Sequence, residues 1–169
     1  TPPQPVDFER DDVDAAIWVG DGSWPDKTSL RLVPEVLVPV CAPRLADGPP
    51  ALREPADLAR VTLLHSLHRS TYWAQWLRAV GCDTVDAGRG LWFEGSSLAY
   101  QAALEGIGVA IAERVLVHDE LASGRLVAPF AFPLELGESY YLVSPRTRSE
   151  RPMVAAFRAW LTHELSREA

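Results

Sequence analysis

The residues that could do chemistry are few. Two adjacent serines stand in Glu94-Gly-Ser-Ser-Leu-Ala99, where an apolar run gives way to helical spacing. As nucleophiles they lack a frame. A nucleophile elbow, G-x-S-x-G, needs a second glycine so that the chain can turn sharply, and Ala99 stands there instead. A catalytic serine also needs a base and an orienting acid. The four histidines, His65, His68, His118 and His163, sit in no such context. Metal spacing is missing too: no H-x-x-x-H, H-E-x-x-H or paired-cysteine pattern occurs. Cys41 and Cys82 are too distant in sequence for a C-x-x-C site and read as free thiols in a reducing cytosol. Gly106-Ile-Gly108 matches a fragment of a dinucleotide loop, but it follows a helix and not a strand. The expectation is a protein that is no enzyme, with no cofactor and no metal.

The serines have a second use. The first turn of a helix leaves backbone N–H groups unpaired, and its dipole favours a negative group there. A serine caps one of those donors. Two serines after a glycine can cap the helix and still offer a hydroxyl to a carboxylate or phosphate. From residue types alone, capping only and ligand binding both stand.

The elements that must position these serines follow from periodicity. Short apolar runs at 14–20, 30–33, 36–41, 61–65, 90–93, 109–111, 126–128 and 140–143 read as strands, with Pro34-Glu35 bending the second from the third. Residues 6–10 read as a short helix with Asp7 near its start. Short helices follow at 42–43 onward and 55–59. Residues 71–80 place Trp73, Trp76, Leu77 and Val80 on one helical face, stopped by Gly81. Another helix runs from the serines to about Glu105, and a further one covers 115–122. The terminal helix at 152–165 carries Met153, Phe157, Leu161 and Leu165 every four residues, with Ala156 and Trp160 filling the stripe. Strands alternating with helices predict an α/β fold with largely parallel sheets.

Composition narrows the partners. With 47% hydrophobic residues among 169, the chain can bury a substantial core. Its net charge of −7 makes it a poor binder of the DNA backbone. Arg146, Arg148 and Arg151 form a solvated loop before the last helix. No run approaches the ~18 apolar residues of a membrane span, so no membrane contact is expected. The chain opens at Thr1 with no leader pattern, and it reads as a piece of a longer protein.

The order of segments is more specific than any one of them. The stretches Val6–Pro25, Leu37-Val-Pro-Val-Cys-Ala-Pro43, Pro55-Ala-Asp-Leu-Ala59, Arg89–Ile111 with its Glu94-Gly-Ser-Ser-Leu98, Leu121-Ala-Ser-Gly-Arg-Leu-Val127, Tyr140-Tyr-Leu-Val-Ser-Pro145 and the terminal helix follow one another at characteristic intervals. Together they resemble the effector-binding domain of LysR-type transcriptional regulators, in the branch of the glycine-cleavage and β-lactamase regulators. The resemblance implies a type 2 periplasmic-binding-protein-like fold, with two α/β subdomains joined by two crossover strands. Subdomain I would comprise 1–40 and 144–169, and subdomain II 41–143. The family's N-terminal helix-turn-helix, and the first strands of its sensor domain, have no counterpart here.

The resemblance also implies a small effector, anionic or amino-acid-like, in a cleft between the subdomains. Its ligand-binding residues would be Ser96 and Ser97 at the helix start, His65, Ser66 and His68 after a strand, Asp21 and Trp24 after another, and Tyr140 and Tyr141 at the second crossover. Asp7 would cap or bear on switching. The protein would be cytoplasmic, a homodimer or homotetramer, and would touch DNA only through the missing helix-turn-helix. An exported solute-binding protein of the same fold is the alternative.

Overall fold

The computed structural model describes residues 6–168. Two compact units form, one from the residues up to Glu35 and from Leu136 onward, the other Val36–Glu135. The chain passes between them within strand β2 (Lys27–Val40) and again at the start of strand β6 (Leu134–Pro145). The bend expected at Pro34-Glu35 is absent, and β2 runs on as one strand. Pro34 lies exposed there, where a missing N–H costs the ladder little.

The Val36–Glu135 unit is built on the strand order β2-β5-β3-β4, with β3 at Leu63–Ser66, β4 at Leu91–Phe93 and β5 at Val109–Glu113. Strand β3 runs parallel to both β4 and β5, while β2 is antiparallel to β5. The parallel arrangement expected from alternating elements therefore holds for the three short strands only. Every residue of β3 and β5 is buried, as in a sheet covered on both faces.

Helix α3 (Ser96–Leu104) covers one face. Its Ala99, Tyr100, Ala102 and Ala103 pack with Val38, Val40, Leu64, Ala110 and Ala112. Three alanines let the helix lie close to the strands. Helix α2 (Tyr72–Ala79) buries Trp73, Trp76 and Leu77, as its apolar spacing predicts. Both indole N–H groups are satisfied: Trp73 donates to the Leu64 carbonyl at 3.1 Å and Trp76 to that of Phe132 at 2.9 Å. Helix α1 (Pro43–Ala46) is short. The helix expected at 115–122 is a 3-10 turn, Arg114–Val117, followed by α4 (His118–Ala122). The strand expected at 126–128 is reduced to one bridge between Cys41 and Val127.

In the other unit the order is β1-β6-β2, with β1 (Ala16–Gly20) antiparallel to β6. Residues 8–10 form a turn instead of the expected helix, and Asp7 Oδ1 accepts the N–H groups of Glu9 and Arg10. The terminal helix, α5 (Pro152–Glu168), corrects a second expectation. Val154 is its buried contact, while Met153 is 73% exposed and Trp160 54%. The every-four spacing named an apolar stripe, but spacing does not say which stripe meets a neighbour. No helix among the described residues is long and apolar enough to cross a membrane.

Candidate functional site

The parallel strands β3, β4 and β5 end together, and the polar groups gather at that carboxyl edge. Ser66 is the last residue of β3 and stands beside Phe93, the last of β4. Three residues beyond Phe93, α3 begins. Side chains alternate along a strand, so Ser66 lies on the same side as Leu64, which packs among the α3 residues. Ser66 is only 6% exposed, and its Oγ has no hydrogen-bond partner among the described residues.

The helix start is open. Gly95 occupies the N-cap in extended conformation, and no side chain caps the first turn. The serines are therefore not caps, because they occupy the first two helical positions. Ser96 is half-buried and within side-chain hydrogen-bonding range of the Tyr100 phenol, one turn along; Ser97 is exposed. A first turn with free N–H groups and a positive dipole end is a ready seat for an anion.

Glu113 ends β5 and is 1% exposed. Its Oε1 accepts from Arg69 Nε at 3.0 Å and from the Tyr72 hydroxyl at 2.9 Å. Its Oε2 is buried with no hydrogen-bond partner among the described residues. The Glu113 backbone N–H donates to the Tyr100 hydroxyl at 3.3 Å, which links the strand end to α3. Burial holds the Tyr100 phenol above its ordinary value. The Arg69 guanidinium lies 5.6 Å above the Tyr72 ring and stays 40% exposed. Arg69, Tyr72, Tyr100 and Glu113 were not among the residues expected from sequence. The one signal was a carboxylate closing the apolar run Val109-Ala-Ile-Ala-Glu113.

The remaining expected residues divide by place. His65 faces away from Ser66: its ring stacks on Trp92, 4.3 Å between centroids, and Nε2 lies 2.8 Å from the Arg89 carbonyl oxygen. Burial pushes its imidazole below the ordinary value, against the Arg89 carbonyl and the charge of Asp86. His68 is exposed on the turn Leu67–Arg69. In the other unit, Asp21, Trp24 and Tyr141 do meet. The Tyr141 hydroxyl donates to the Asp21 carbonyl at 3.4 Å and the Tyr141 ring meets that of Trp24 edge-on at 5.4 Å. Trp24 packs edge-on against Trp18, so it belongs to an aromatic cluster. Asp21 Oδ1 accepts the Ser23 N–H at 2.8 Å, and Tyr140 is half-buried, paired with Val19. Both cysteines are free; burial raises the Cys41 thiol to about 12, which leaves it unreactive. No three His, Cys, Asp or Glu among the described residues could hold a metal.

Residues 1–166 match the LysR substrate binding domain family. The glycine cleavage system transcriptional activator of Escherichia coli K12 is 39% identical over 158 residues, 94% of this chain and 52% of the relative. The HTH-type transcriptional activator AmpR of Enterobacter cloacae is 35% identical, over 96% of this chain and 54% of its own. The chain thus spans about half the length of these curated relatives. Among solved structures, the effector domain of AmpR from Pseudomonas aeruginosa superimposes with a TM-score of 0.78 at 34% identity, covering 98% of this chain and 78% of that one. The AmpR effector binding domain of Citrobacter freundii gives 0.79 at 32%, covering 96% and 80%. The fold is accordingly the type 2 periplasmic-binding-protein-like one, and the family is one of regulators and not enzymes. By family match, relatives and fold alike, this chain belongs to the effector-binding domains of LysR-type transcriptional regulators.

Proposed function

We propose that this chain senses a small effector, anionic or amino-acid-like, at the carboxyl edge of β3, β4 and β5. The carrying observation is the buried, unpartnered Ser66 hydroxyl beside the uncapped start of α3. A buried hydroxyl without a partner costs about 1–3 kcal/mol. A carboxylate seated there accepts from Ser66, from Ser96 and from the first-turn N–H groups at once.

Sensing acts through population and not bond chemistry. The effector shifts the protein toward whichever arrangement binds it better, and only by its difference in affinity for the two. In a homodimer or homotetramer the shift passes to DNA-binding segments outside this chain. That matches the names of the longer relatives, which are transcriptional activators.

The test is ligand-dependent melting of the intact protein against amino acids and small carboxylates. A ligand at about 100 times its Kd adds about 2.7 kcal/mol to stability. A ligand that raises Tm, and loses that effect in Ser66→Ala and Ser96→Ala, supports the reading. A ligand whose effect survives both substitutions places the site elsewhere.

A further inference from the structure

We propose that Glu113 reads an ammonium group on the effector, so that the ligand is an α-amino acid or carries an amino-acid terminus. This rests on the site proposed above and narrows its ligand class. An ionised carboxylate has two oxygens and about four lone-pair positions. In Glu113, Arg69 Nε and the Tyr72 hydroxyl both donate to Oε1. Oε2 is buried and takes none. The fold therefore satisfies one half of the carboxylate and leaves the other half short of a donor.

The missing donor has to be supplied from outside, and its chemistry is constrained. A simple anion brings only acceptors and would set a negative oxygen against Oε2. A neutral hydroxyl would serve, but a charged N–H donor makes the stronger bond in such a site. The anion-binding pole is tied to this strand end through a single side chain. The Glu113 backbone N–H bonds Tyr100, and Tyr100 sits one turn from Ser96 on α3. A donor-poor carboxylate and a donor-rich helix start, joined through one residue, match the two ends of a zwitterion. Arg69 and Tyr72 hold the carboxylate in place and act as positioning residues.

Binding of each proteinogenic amino acid to the intact protein is compared with that of the carboxylic acid lacking only its α-ammonium, by calorimetry at constant pH. The tightest amino acid should bind at least about tenfold more strongly than its counterpart. E113Q should remove most of that preference and leave the carboxylic acid within about twofold. If amino acid and counterpart bind equally to the unaltered protein, water satisfies Oε2 and the proposal falls while the site stands. If neither class binds, the proposed site falls with it. The comparison in the unaltered protein needs no variant, so it decides the matter even if E113Q does not fold.

Discussion

Ser66 and Glu113 end neighbouring parallel strands, and each buries a side-chain oxygen that no described residue satisfies. One lies toward α3, the other is held by Tyr72 of α2. Two unmet hydrogen bonds at one sheet edge amount to a stability cost retained in the folded chain. Function at a sheet's carboxyl edge is a sufficient reason for such a cost.

Ser66→Ala separates that cost from its use. Replacing an unpartnered buried hydroxyl by a methyl removes a desolvation penalty. The ligand-free protein is expected to melt no lower, and to gain up to about 1 kcal/mol. Its affinity for the effector should fall by about tenfold. Chemical denaturation without ligand and titration with it read the two effects. A loss of ligand-free stability above about 1 kcal/mol would mean that Ser66 has a partner in solution.

The Arg69–Glu113 pair should respond unevenly to substitution. Arg69→Met strands a carboxylate that is 2% exposed, whereas Glu113→Gln releases a guanidinium that is 40% exposed and can turn to water. Leaving a buried charge unpaired costs about 3–5 kcal/mol. Glu113→Gln keeps an oxygen for Tyr72 and should cost about 1–2 kcal/mol. Urea midpoints of the two variants give the order, and an equal or reversed order would show that Arg69 contributes no charge compensation.

His65 should make the protein acid-sensitive. Burial depresses its folded-state value below the ordinary 6.5. Below 6.5 the unfolded chain binds a proton that the folded one refuses, so stability rises with pH through that window. The contribution is complete above the unfolded value and is lost as pH falls toward the folded one. His65→Gln keeps a donor for the Arg89 carbonyl without titrating, so its stability should depend less on pH there. Urea midpoints measured from about pH 7.5 down to about pH 5 check this; identical slopes would acquit His65.

Two glycines keep the sheet closed. A Cβ on Gly90 would overlap the Leu63 carbonyl oxygen, and its φ of +129° already disfavours other residues. A Cβ on Gly108 would overlap the Thr62 carbonyl oxygen. Each Gly→Ala change should cost about 3 kcal/mol. The same change at Gly88, where the nearest atom outside its neighbours is an Asp86 carboxylate oxygen at an ordinary contact distance of 3.5 Å, should cost much less. Thermal melts of the three variants decide the order.

The start of α3 and the strand before His65 were legible because their signals are local. A glycine and two serines before helical spacing mark a helix start, and the apolar pair Leu63-Leu64 opens β3. Glu113 was not legible as a site residue, because its meaning comes from Arg69 and Tyr72, more than forty positions distant. Tyr72 and Tyr100 read as ordinary helix-core aromatics, and only the fold shows their hydroxyls at the sheet edge. His65 read as a ligand candidate from its place at a strand end; its stacking on Trp92, which lies on another strand, was not legible. The stripe of α5 was legible as a period and not as a contact. Its periodicity was clear, but periodicity carries no information about the neighbour.

The most direct measurement is a crystal structure of the intact protein with the tightest-binding amino acid from the panel. The ligand carboxylate is expected against the first turn of α3, within hydrogen-bonding reach of Ser66 Oγ, and the ligand ammonium at Glu113 Oε2. A ligand seated away from Ser66 and the start of α3 would contradict it.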